Sequence, residues 1–300
     1  MNFQPKAETN VQPTHGAQCR HDAVVALACL AFALSSFAFV AELHAQSSDQ
    51  VTKNQTLVFD DEFDQLSPNP NKWALCYWWN DGGCTNLGNK ELEWYGTSNV
   101  ELHDGILHLI ARHETTRGYK GRMFGFTSGM VTTGRYESER SRRSRFAFKY
   151  GYIEVRAKVP PGKGFWPAIW LLPSTERSLP EIDMMEVFGN STNKLRLHLH
   201  YVAPDGTQHV PGKLVTVQKL DEDFHTYGLD WTPSALVWFL DGRQVWRYSK
   251  PAGIPDQPMY LLMNLAVGGG SAGNPDNQTQ FPSAFAVDYV KIWQNNAQAN

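Results

Sequence analysis

The sequence predicts an all-β fold, a sandwich or a barrel, on three observations. Short runs of alternating, β-branched and aromatic residues recur from about residue 51 to residue 294. Each run is closed by Gly, Pro, Asn or Asp, and no long stretch carries a helical period. With 42% apolar and 12% aromatic residues in a chain of 300, there is enough apolar surface for one full core.

Taken along the chain, "GILHLIARH", "YGYIEVRAKVP", "LRLHLHYVAPDG", "SALVWFLDGRQVWRYS" and "FAVDYVKIW" each read as a strand or a strand pair. In "VWFLDGRQVW", Asp241-Gly242 sits between two apolar arms, which is the signal of a two-residue hairpin turn. Strands at this density in about 250 residues favour a closed or doubly layered β architecture over a mixed one. No repeat, low-complexity tract or linker divides Gln55 from Gln294, so residues 46–300 read as a single domain.

The first 45 residues read differently. Lys6, Arg20 and His21 precede the apolar run "AVVALACLAFALSSFAFVA", and "LHAQS" offers a cleavage point after Ala45. This is the pattern of an export leader, which places the mature protein outside the cytoplasm, secreted or periplasmic. The run borders on membrane-spanning length, so a retained anchor is the other reading. Cys29 lies in a poor lipoprotein context. Beyond the leader, which holds Cys19 and Cys29, only Cys76 and Cys84 remain, flanking "YWWNDGG". An exported chain would join them as a small disulfide loop, and two free thiols are the alternative.

Charge excludes one class of partner. The net charge is -3 and no basic stripe is present, which argues against nucleic acid. Ten Trp and eleven Tyr serve a core, but flat rings in an open groove also stack on the apolar faces of sugars. The run "RSRRSR", residues 140–145, reads as a solvated loop, with contact to an anionic polysaccharide as its functional alternative.

The most informative stretch is "EIDMMEVFG", residues 181–189. In a regular strand Glu181 and Asp183 share a face and Glu186 points the other way. A β-bulge at Met184-Met185 would shift the parity and return Glu186 to their side, with Ile182 and Val187 turned to the core. A surface patch or a first helical turn is the competing reading, but like charges on one strand face repel. At roughly 3.3 Å per residue the outer backbones would stand about 13 Å apart. Two glutamates leaning inward by about 4 Å each leave roughly 5 Å, near the ~5–5.5 Å of a retaining glycosidase pair.

Here the chain resembles a known family. The segments "YGYIEVRAKVPPGKGFWPAIWLLP" and "EIDMMEVFG", with "NKELEWYG", "TSGMVTTG", "MNLAVGGG" and "VDYVKIW", are similar to glycoside hydrolase family 16 over nearly the whole mature length. The resemblance implies a concanavalin-like β-jelly-roll sandwich of two curved antiparallel sheets with a concave substrate groove. It implies Glu181 as nucleophile, Asp183 as its orienting partner and Glu186 as general acid/base of a retaining endo-glycosidase. Trp166, Trp170, His200, Asn264 and Asn89 correspond to groove positions, with Trp170 also readable as core and His198 ranked below His200. No cofactor is implied for catalysis. A structural calcium is implied at Asp288 and the carbonyl of Gly105, where an Asp capping a strand end is the plainer reading; His198 and His200 alone do not make a zinc site.

The expected partner is a polysaccharide, met by a monomer free of the membrane once the leader is gone. β-1,3 or mixed β-1,3/1,4-glucan leads. Met130 stands where many family glucanases carry a sugar-contacting Arg, so an acidic exopolysaccharide of the succinoglycan kind, or agar, stays open. Transglycosylation and a non-catalytic carbohydrate-binding sandwich are the remaining alternatives.

Overall fold

The computed structural model describes residues 47–295 apart from 78, 80–82, 136–142 and 176–177. The leader with Cys19 and Cys29, and Arg140 and Arg142 of the arginine run, therefore lie outside the described residues. Among the described residues two antiparallel sheets of eight and seven strands make the body of the protein, a jelly-roll sandwich. The only α-helix among them is the five-residue Ser48–Thr52. These residues fall within one unit, Ala45–Asn300.

The seven-stranded sheet carries the polar stretches of interest. At its centre Phe165–Pro173, Glu181–Glu186 and Lys194–Val202 run as consecutive antiparallel neighbours, and Met259–Val267 lies on the far side of Phe165–Pro173. The eight-stranded sheet has Gly151–Lys158 and Ser283–Asn295 at its centre. Its edge is closed by Leu236–Leu240 and Arg243–Tyr248, joined through Asp241 (φ 49°) and Gly242 (φ 73°). Positive φ at both positions is what a two-residue turn matched to strand twist requires, and glycine adopts it freely.

Alternation assigns each central strand one face to the core. Phe165, Ile169 and Leu171 point between the sheets, as do Ile182, Met184, Met185 and Val187, and Leu195, Leu197 and Leu199. They meet Leu107, Leu109, Ile153, Val155, Val287 and Val290 of the other sheet. All are almost completely buried, so the side chains between them in sequence must face the opposite, open side.

The expected bulge is present at the expected place. Asp183 pairs with His198 and Glu186 with Arg196, so Met184 and Met185 together oppose Leu197 alone. The same slip is seen against Phe165–Pro173, where Trp170 pairs with Asp183 and Ile169 with Met185. Both methionines are buried. A bulge takes backbone groups off the ladder. Here the carbonyl of Asp183 is satisfied from the other sheet, by the indole Nε1 of the fully buried Trp238 at 3.0 Å. Trp238 is itself held by stacking on Trp246, with centroids 4.2 Å apart.

Trp238→Phe keeps most of the ring but leaves that carbonyl without its donor. It is expected to lower unfolding stability by about 1–3 kcal/mol, the cost of an unsatisfied buried acceptor. Chemical denaturation of the two proteins measures this, and equal midpoints with equal slopes would show the bulge does not depend on the indole.

Candidate active site

Past the bulge, Glu181, Asp183 and Glu186 stand on the same open face of one strand. On the neighbouring strand Trp166, Ala168, Trp170 and Leu172 alternate toward that face, and Asn264 lies across from Ala168 on the next. The three carboxylates, Trp166, Trp170, Asn264 and Asn89 line one cleft of about 260 Å³. His200 stands opposite Glu181 and His198 opposite Asp183, so the polar side of "LRLHLHY" also faces the carboxylates.

Contacts on the two outer carboxylates differ. Glu186 is gripped at both oxygens: the Trp166 indole donates to Oε1 at 3.0 Å, and His198 Nδ1 lies 2.6 Å from Oε2. Opposite Glu186, Arg196 lays its guanidinium over the Phe188 ring, 3.9 Å from its centroid. Asp183 is met by His200 Nε2 at 3.0 Å, with His198 Nδ1 3.9 Å away. Burial pushes the carboxyls of Glu181 and Asp183 well above the ordinary range. For Glu181 the neighbouring Asp183 charge adds to the rise while His200 opposes it, and for Asp183 the Glu186 charge adds to it. Three carboxyls in so small a space cannot all be ionised without partners, and the two histidines and the indole are those partners.

A second polar chain forms the cleft wall. The Trp170 indole donates to Asn264 Oδ1 at 2.8 Å, and Asn264 Nδ2 donates to the Tyr95 hydroxyl at 3.0 Å. Tyr95 donates onward to Glu91 Oε2 at 3.4 Å, and Asn89 Nδ2 donates to Glu91 Oε1 at 3.0 Å. Beside Glu91, the fully buried Glu93 accepts the Val267 backbone N–H at 2.7 Å. Burial raises both acids, and for Glu93 the Glu91 charge raises it further. Trp170 is thus at once nearly buried and part of the cleft, so its two sequence readings describe one side chain. Met130 is fully buried and paired across from Asn264, packed with Tyr77, Tyr95 and Trp170. The wall is completed by Tyr77 and Trp79, their rings 4.7 Å apart, inside the loop that a Cys76–Cys84 bond closes with Cα atoms 5.0 Å apart.

Other sequence expectations fall elsewhere. Asp288 lies on the eight-stranded sheet and spends its carboxylate in an ion pair with Arg156. Gly105 contributes a turn before Ile106–Ala111 with φ of 72°. Arg156 competes with a calcium for Asp288, since calcium prefers a set of free oxygen ligands. Arg145 is tied to the carbonyls of Pro70 and Gly134, at 2.7 and 3.1 Å. Two site residues were underrated or missed in the sequence. His198 touches Glu186, a position its shared parity with His200 signals, and Glu91 lies in "NKELEWYG" with nothing in its spacing to set it apart.

Three comparisons bear on the site. The model of glycosyl hydrolases family 16 matches residues 87–291. The beta-glucanase of Rhodothermus marinus is 32% identical over 289 residues, covering 88% of this chain and 93% of the relative. The endo-1,3-1,4-beta-glycanase EglC of Rhizobium meliloti strain 1021 is 34% identical over 280 residues, covering 84% of this chain and 56% of the relative, so the chain spans only about half of that protein. Among solved structures, the laminarinase catalytic domain of Thermotoga maritima superposes with a TM-score of 0.69 at 32% identity, covering 81% of this chain and 99% of that one.

The raised acids of the cleft wall set a pH dependence. Glu91 and Glu93 hold protons more tightly folded than at their ordinary value of 4.5, so the stability they contribute is full below that value and is lost as pH rises above it. Glu93→Gln keeps the acceptor for Val267 and removes one charge. The melting temperature of the wild type is expected to fall between weakly acidic and weakly alkaline pH, and that fall should shrink in the variant; identical falls would place the titration elsewhere.

Proposed function

The chain belongs to glycosyl hydrolases family 16, and from that membership we propose that it is a retaining endo-glycosidase cutting internal bonds of β-1,3 or mixed β-1,3/1,4-glucan. The observation that carries this reading is the trio Glu181, Asp183 and Glu186 brought to one face of one strand inside an aromatic-walled cleft. The beta-glucanase and laminarinase relatives support the choice of glucan. Trp166 and Trp79 line the cleft, which favours recognition of a sugar by ring stacking.

The mechanism follows from position. Glu181, as carboxylate, attacks the anomeric carbon while the glycosidic C–O bond breaks and Glu186 passes its proton to the departing oxygen. Water then attacks the glycosyl-enzyme, Glu186 takes the proton from it, and Glu181 is released. Burial raises the Glu181 carboxyl and His200, held on Asp183, opposes that rise, so the histidine favours the ionised form that attack requires. The Trp166 indole and His198 fix the Glu186 carboxyl toward the scissile oxygen. This chemistry runs on carboxylates and calls for no cofactor. Residues 1–45 serve as an export leader and 46–300 as one catalytic domain working as a monomer on a polymer outside the cell. Among the described residues no helix is long and apolar enough to cross a membrane.

Laminarin, lichenan, barley β-glucan and succinoglycan would be digested while product lengths and the anomer of the new reducing end are followed by NMR. The expected result is rapid shortening of a glucan with the β-anomer formed first. Glu181→Gln should lower kcat on the order of 10⁴-fold. Glu186→Gln should lose the polysaccharide activity yet still release phenolates from aryl glycosides, which depart without a proton. An α-anomer would exclude the retaining pathway, undiminished binding with no turnover would mark a carbohydrate-binding sandwich, and products longer than the substrate would mark a transglycosylase.

A further inference from the structure

The two cleft histidines do more than contact the carboxylates. His198 Nδ1 and His200 Nε2 both turn toward Asp183 Oδ2, at 3.9 and 3.0 Å, and one ligand atom from each of the three residues lies within 4.8 Å of the others. Bonds of about 2.0–2.1 Å to zinc in a tetrahedron put neighbouring ligand atoms about 3.3 Å apart, so a small adjustment of these side chains encloses an ion. A fourth ligand stands by, since Glu186 Oε2 lies 2.6 Å from His198 Nδ1. Facing positions on paired strands hold the set in place: Asp183 is opposite His198, and His200 is one alternate residue further along. The imidazoles are 31% and 26% exposed, which gives an ion a path from solvent.

We infer that Asp183, His198 and His200 form a site for a borderline divalent transition ion, of which zinc is the probe, and that its occupancy silences the cleft. Nitrogen-rich ligation selects such ions over calcium or magnesium. A bound ion would engage Asp183 beside Glu181 and take His198 from Glu186, which would then keep only the Trp166 indole or become the ion's fourth ligand. The silencing rests on the catalytic reading already proposed; the binding does not.

The test uses the full chain without a histidine tag, stripped with chelator. Zinc titration by calorimetry and the visible spectrum of the cobalt-loaded protein report binding, and glucan hydrolysis reports silencing. His198→Gln and His200→Gln are compared with His108→Gln, a control from the stacked His103–His108 pair on the other sheet, whose ring centroids are 3.8 Å apart. The expected result is one ion per wild-type chain, a four-coordinate cobalt spectrum, and chelator-reversible loss of hydrolysis. Affinity should fall at least about tenfold in each cleft variant and stay unchanged in the control, with near-UV circular dichroism confirming that all are folded. No binding up to about 1 mM zinc, or binding that survives both cleft substitutions, overturns the site. Full hydrolysis by zinc-loaded protein overturns the silencing and leaves the site standing.

Discussion

The cleft depends on the two-residue period of a β-strand and on one break in it. A strand whose inner face is filled by Ile182 and Val187 has no freedom to rotate, so every side chain's direction is fixed by its parity. Three carboxylates spaced at 181, 183 and 186 can share a face only if one residue is absorbed between the second and third. Met184 and Met185 absorb it by both opposing Leu197, and their flexible, unbranched side chains fit two knobs into the core space of one. The cost is an unpaired carbonyl, which the opposite sheet supplies with the Trp238 indole. The geometry of the polar face is therefore held from the apolar side, through the whole thickness of the sandwich.

Crowding on that face is an electrostatic problem with a local solution. Carboxylates removed from water would either neutralise or drive the strand apart. Two of the acids have donors of their own: Glu186 has an indole and an imidazole, and Asp183 has His200. The cleft wall repeats the arrangement with Glu91, served by Asn89 and Tyr95. Rigid strands let short polar side chains meet without the entropy loss that flexible loops would add, and such preorganisation is what differential stabilisation of a transition state requires.

The fold class and the centre of the site were legible because both rest on local periodicity. The alternation in "LRLHLHY" placed Leu195, Leu197 and Leu199 inside, and the mismatch in "EIDMMEVFG" located the bulge. The role of His198 is not legible, because a histidine says nothing about its cross-strand neighbour until strand register is known. The chain from Asn89 through Glu91, Tyr95 and Asn264 to Trp170 joins three separate segments, and no spacing rule links residues 89 and 264. Asp288 shows how a partner can stay hidden. Its position matched a ligand pattern, yet the strand beside it presents Arg156, a partner visible only once Ser283–Asn295 and Gly151–Lys158 are paired.

Parity also explains why one cleft would have two chemistries. Placing His198 and His200 on the open face lets them steady Asp183 and Glu186, and the same placement converges two imidazole nitrogens and a carboxylate on one point. The two arrangements are close in geometry, because hydrogen-bond partners about 3 Å apart are separated by nearly the distance of ligands around a small ion. What decides between them is the proton. An imidazole nitrogen that carries a hydrogen toward a carboxylate must release it before it can ligate an ion, so the hydrogen bond and the metal bond exclude each other at that atom.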